Sequence, residues 1–156
     1  MKEVIALRGP KNRGKSQTVK KIPAFLLAKY PGATIQNLIP QSRSLDIKVL
    51  VTINQVKIGI ESQGDPRPGR LPESLTEFVK LGCEIIICAT RTRGGTETAV
   101  KNLKAHSGYD IVWLDQNDAG TSSASQEAAN RKMAERIVSE VEKLLSVQKA
   151  HSATQT

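Results

Sequence analysis

The segment Gly9-Pro10-Lys11-Asn12-Arg13-Gly14-Lys15-Ser16 constrains this chain more than any other part of its sequence. It begins directly after a short apolar run, Val4 to Leu7, and opens a stretch with helical periodicity in Val19, Ile22, Phe25 and Leu26. A chain that passes from a buried strand to a helix through a loop with two glycines can aim several backbone N–H groups at one point. The ammonium of Lys15 and the positive end of the following helix dipole add to the same field. Such an arrangement suits phosphate oxygens. Lys15 is placed for the β- and γ-phosphates of a nucleotide and the Ser16 hydroxyl for Mg²⁺. The candidate nucleotide contacts are therefore Gly9, Pro10, Lys11, Asn12, Arg13, Gly14, Lys15, Ser16 and, in the first helical turn, Gln17.

The remaining pattern predicts the frame around that loop. Val4–Leu7 and Glu84–Ala89 (EIIICA) are continuous apolar runs, which read as parallel strands buried on both faces. Ile47–Ile53 and Val56–Glu61 are two strands separated by Asn54-Gln55, a hairpin length. Asp110–Asp115 is a further strand. Pro23 predicts a kink or restart near Ile22, since an interior proline costs a helix about 3 kcal/mol. Residues 33–46 and 62–71 read as loops, and Pro72 suits the start of a helix whose apolar face is Leu75, Phe78 and Val79 and whose stop is Gly82. A helix is predicted over Thr96–Ala105. Ser123 and Gln126 match a capping box that opens an amphipathic helix carrying Met133, Ile137, Val141, Leu144 and Leu145. Strands alternating with helices predict a single-domain, three-layer α/β fold. Its sheet would have about five strands, mostly parallel, with Ile47–Ile53 as one antiparallel edge. The domain spans 1–148, and 149–156 reads as a flexible tail.

Composition narrows the partners. The chain has 156 residues, enough for one domain with a real core. No stretch approaches the ~20 apolar residues of a membrane-spanning helix. The start of the chain does not read as a signal peptide, so the cytoplasm is the expected location. Cys83 and Cys88 lie at and inside a buried strand, which predicts structural free thiols rather than a metal site. A net charge of +8 points to polyanionic company. Aromatic residues make up only 3 % of the chain, too few for the stacking platforms of single-stranded nucleic-acid binders.

With its GxxxxGKS segment between strand and helix, the chain resembles the P-loop NTPase superfamily (the Walker A motif), and the strand order extends the resemblance over most of residues 3–147. The resemblance implies a Mg²⁺-bound nucleoside triphosphate and a second strand ending in a carboxylate that serves the metal or the attacking water. Glu61, ending Val56–Glu61, is the first candidate and Asp65 the second; the family usually has Asp at the strand end. Glu61-Ser62-Gln63-Gly64 is similar to the DxxG switch of GTPases with Glu for Asp. No NKxD segment for guanine follows the strand at 110–115, so ATP is the expected base and GTP the less favoured one.

Arg67, Arg70, Arg91 and Arg93 follow two of the strands and should share the carboxyl edge of the sheet with Lys15. Three uses fit them. Arg91 or Arg93 could neutralise a transferring phosphoryl group. The pair could bind a second phosphorylated substrate, and Gly64-Asp65-Pro66-Arg67 resembles a segment of nucleoside monophosphate kinases. Or they could grip nucleic acid, or the nucleotide of a neighbouring subunit in a homo-oligomer. The leading expectation is an ATPase acting as a switch or assembly factor, with Lys15, Glu61, Arg91 and Arg93 catalytic and Ser16, Glu61 and Asp65 around the metal. A small-molecule or nucleotide kinase is the alternative, and a nucleotide-dependent module binding nucleic acid or protein the third.

Overall fold

A computed structural model describes residues 2–9, 15–39, 47–62, 70–90, 95–116 and 122–154. Among these, the elements run β1 (Glu3–Arg8), α1 (Lys15–Lys29), β2 (Thr34–Asn37), β3 (Lys48–Ile53), β4 (Val56–Glu61), α2 (Arg70–Lys80), β5 (Ile85–Thr90), α3 (Gly95–Ser107), β6 (Asp110–Asp115) and α4 (Ser123–Thr154). The strands form one sheet in the order β2-β3-β4-β5-β1-β6. β4, β5, β1 and β6 are parallel; β3 is antiparallel to β4, and β2 to β3.

Two apolar clusters, one on each face of the sheet, explain why β1 and β5 lack polar alternation. Ile5 and Leu7 of β1, and Ile85 and Ile87 of β5, pack with Val19, Ile22 and Leu26 of α1 and Ile137, Val138 and Val141 of α4. Val4 and Ala6, and Ile86 and Cys88, pack on the other face with Leu75 and Phe78 of α2 and Val100 and Leu103 of α3. Each such aliphatic or aromatic side chain contributes about 1.5–3 kcal/mol on burial. A strand that must bury both faces can sit only inside a three-layer sandwich.

The structure corrects the sequence expectation in several places. The sheet has six strands among the described residues, because Thr34–Asn37, predicted as loop, pairs antiparallel with Val49–Thr52. All four residues of β2 are exposed, so burial imposed no pattern on them; only the hydrogen bonds to β3 make them a strand. Ile47–Ile53 is consequently not the edge. α1 passes through Pro23 without a restart. Pro23 is itself buried, and the packing of Val19, Ile22 and Leu26 offsets the lost backbone bond. α2 starts at Arg70, ahead of Pro72. The cap of α4 is Ser122 rather than Ser123: its Oγ accepts from the Ser125 N–H at 3.1 Å. The α4 backbone is helical to Thr154, beyond the boundary at 148.

Other expectations hold. Asn54 and Gln55 both have positive φ, 50° and 72°, as the two-residue hairpin requires. Gly82 adopts φ 81°. The Cys83 N–H bonds Phe78 O at 3.0 Å and the Gly82 N–H bonds Val79 O at 3.1 Å, the paired bonds of a Schellman stop. Both cysteines are free and buried. Burial pushes the Cys83 thiol up to about 11. Burial, with the nearby Glu61 charge, raises Cys88 further. No helix among the described residues is long and apolar enough to cross a membrane.

Two predictions follow from this packing. A Cβ on Gly59 would lie 2.5 Å from Phe78 Cγ, inside the ring that covers β4. Gly59→Ala should cost about 1–3 kcal/mol in urea unfolding, partly recovered by adding Phe78→Leu. The raised thiols are protonated and inert in the folded chain near neutral pH, and both should react with a disulfide reagent only after unfolding. Their contribution to stability is complete below the ordinary thiol value of 9.0 and falls as pH rises from there, towards about 11 for Cys83 and beyond it for Cys88; pH-dependent urea midpoints check the sign.

Candidate functional site

Because β1, β4, β5 and β6 are parallel, their carboxyl ends share one edge of the sheet. Gly9, Ser62, Thr90 and Gln116 lie there, each the last described residue before the chain enters 10–14, 63–69, 91–94 and 117–121. Such an edge is where open α/β sheets hold ligands.

Lys15 is the first residue of α1, and its ammonium donates to the carbonyl oxygen of Gly9. That bond ties the end of β1 to the start of α1. The first turn of α1 contains no acidic residue, whereas those of α2 and α3 carry Glu73 and Glu97. The opening amides of α1 have no partner within the helix and no carboxylate in their own first turn. Gln17 is exposed beside them and Ser16 lies in the same turn. Gly9 packs closely on Gln116: a Cβ there would sit 3.2 Å from Gln116 O and 3.4 Å from Gln116 Cβ.

Glu61 ends β4, as predicted, and is 2 % exposed. Strand alternation puts it on the face opposite Ile60, beside its register partner Cys88 on the α2 and α3 side. β5 stands between β4 and β1, so Glu61 is two strands, about 10 Å, from the line of β1. Ser62 anchors the exit of β4, its Oγ accepting from the Ile47 N–H at 2.8 Å. Thr90 is buried at the end of β5; its carbonyl accepts from the Gly9 N–H at 3.3 Å, and its Oγ1 has no partner among the described residues. Pro10, Lys11, Asn12, Arg13, Gly14, Asp65, Arg67, Arg91 and Arg93 lie outside the described residues, and of Arg70 and Ser16 only the helical backbone is described. Among the described residues no group of three His, Cys, Asp or Glu could hold a metal ion.

Sequence reasoning missed two groups at this edge. Arg8, just before Gly9, bonds Asp115 Oδ1 through Nε at 2.9 Å and Glu97 Oε1 through Nη1 at 3.1 Å, and lies 5.2 Å from the Trp113 ring centre. It ties the ends of β1 and β6 to the first turn of α3. The second group is a buried polar cluster of Thr18, Gln116 and Asn130 beneath Gly9. One signal was available. Asn130 occupies the apolar stripe of α4 with Ala134, Ile137 and Val141, and a polar residue on such a stripe asks for a partner.

Comparison of the chain with protein-family models, with curated proteins and with solved structures returns no match.

The Arg8 cluster makes a pH prediction. The Arg8 hydrogen bond, against a smaller desolvation effect, holds the Asp115 carboxyl below its ordinary 3.8. Its stabilisation is complete above that value and is lost as pH falls through the depressed one. NMR titration of Asp115 should show the depressed midpoint, and Arg8→Gln should return it towards 3.8.

Proposed function

We propose that this chain is a P-loop nucleoside triphosphatase that binds ATP with Mg²⁺ on residues 9–17 and uses hydrolysis to switch conformation or assembly. One observation carries the proposal. The Lys15 ammonium is folded onto the Gly9 carbonyl at a strand-to-helix turn, above an acid-free helix start, on the carboxyl edge of a parallel sheet. A polyphosphate arriving there meets oriented amides and one ammonium that exchanges a neutral carbonyl for an anionic oxygen.

The roles follow from position. Lys15 and the opening amides of α1 hold phosphate oxygens. The donor chemistry of one hydroxyl, Ser16, and one carboxylate, Glu61, fits Mg²⁺, which keeps most of its shell as water and phosphate oxygen. When bound, the metal neutralises charge on the phosphates. Glu61, buried at its strand end, supports that shell or orients water, with Asp65 as the other carboxylate in sequence reach. Arg91 and Arg93, between β5 and α3, neutralise charge that develops on the transferring phosphoryl group. The excess of basic residues in a chain of net charge +8 supports a polyanionic ligand.

Calorimetric titration with ATP and Mg²⁺ tests the proposal. Lys15→Ala should weaken binding about 10- to 100-fold, the worth of a charge-assisted hydrogen bond, and remove phosphate release. Wild-type protein that binds and hydrolyses no better than Lys15→Ala ends the proposal.

A further inference from the structure

We infer that Thr18, Gln116 and Asn130 are positioning residues that hold the turn at Gly9 and report its occupancy to α4. The inference rests on the phosphate-loop reading of residues 9–17.

The three side chains come from three elements. Thr18 stands one turn past Lys15 on α1, Gln116 follows β6, and Asn130 lies on the inner face of α4. They are 0 %, 5 % and 3 % exposed. Gln116 Nε2 donates to Asn130 Oδ1 at 3.1 Å. The Thr18 hydroxyl faces two acceptors, Gln116 Oε1 at 3.3 Å and Asn130 Oδ1 at 3.4 Å. A hydroxyl has one proton to donate, and both distances exceed the ordinary length of about 2.7–2.8 Å for such bonds. The proton can therefore serve either acceptor, and a small shift of α1 or Gln116 decides which.

Gln116 is also the piece that feels the turn. Its N–H donates to Arg8 O at 2.8 Å, and its carbonyl lies against Gly9. An anion drawn onto the opening of α1 competes for the Lys15 ammonium that now holds the Gly9 carbonyl. Movement of Gly9 or of the first turn of α1 reaches Gln116 and Thr18 directly, and through them Asn130. A buried polar group left with a poor bond is costly, so the network passes the shift on rather than absorbing it. The side chain it reaches belongs to the longest helix of the described residues, whose far end extends past the core contact at Leu145.

Hydrogen–deuterium exchange on the full chain, with and without ATP and Mg²⁺, tests this. In wild type the ligand should slow exchange both at residues 15–18 and at 127–134, the latter by about fivefold or more, the scale of one buried hydrogen bond. Thr18→Val keeps the shape and removes the shared proton; it should retain slowing at 15–18 and lose it at 127–134. Thr18→Ser keeps the hydroxyl and should retain both. Asn130→Ser shortens the acceptor arm and should uncouple α4 in the same way, which keeps the test open if Thr18→Val does not fold. Slowing at 15–18 with no response in α4, or an undiminished α4 response in Thr18→Val, overturns the inference alone. No ligand effect anywhere in wild type overturns the nucleotide reading with it.

Discussion

The architecture depends on the double-sided burial of β1 and β5. Ile5 and Leu7 face one apolar cluster while Val4 and Ala6 face the other, and β5 repeats the arrangement beside it. A strand of this kind is stable only with helices on both faces, and parallel neighbours need crossover connections to provide them. Parallel strands end on one side. The burial of a few aliphatic residues thus brings four connections to a single edge and places the start of α1 above it.

That edge is sorted by face. On the α2 and α3 side, Arg8, Asp115 and Glu97 satisfy one another, and Trp113 supports the guanidinium. On the α1 and α4 side the helix starts with Lys15, which donates to the Gly9 carbonyl, and has no acid in its first turn. Beneath it the polar groups of Thr18, Gln116 and Asn130 are neutral amides and a hydroxyl. The packing of Gly9 against Gln116 joins this upper, charged layer to the buried neutral one.

The legible parts of the sequence were those where local chemistry and burial agree. Val4–Leu7 and Glu84–Ala89 could be read as sandwiched strands because every residue had to be apolar. Asn54-Gln55 and Gly82 could be read as turns because the backbone there needs positive φ. β2 was illegible because an exposed edge strand buries nothing, and its Thr-Ile-Gln-Asn pattern carries no period. The restart expected at Pro23 did not occur, because a local penalty was weighed without the packing that overrides it. At the carboxyl edge, the helix start near Lys15 was legible from the pattern that follows it, while the Arg8 cluster was not, since its partners lie far off in sequence at Glu97 and Asp115.

The sequence by itself determined that a strand, a two-glycine loop and a helix with a leading lysine follow one another, and that the sheet would be covered on both faces. Those are consequences of neighbouring residues and of apolar pattern, which act within a few positions along the chain. Tertiary structure alone decided that β5 separates β4 from β1, which sets Glu61 two strands away from Gly9. It alone brought Thr18, Gln116 and Asn130 together beneath Gly9. Strand order and helix contact are settled by which pieces bury one another best, and no spacing between residues along the chain records that outcome.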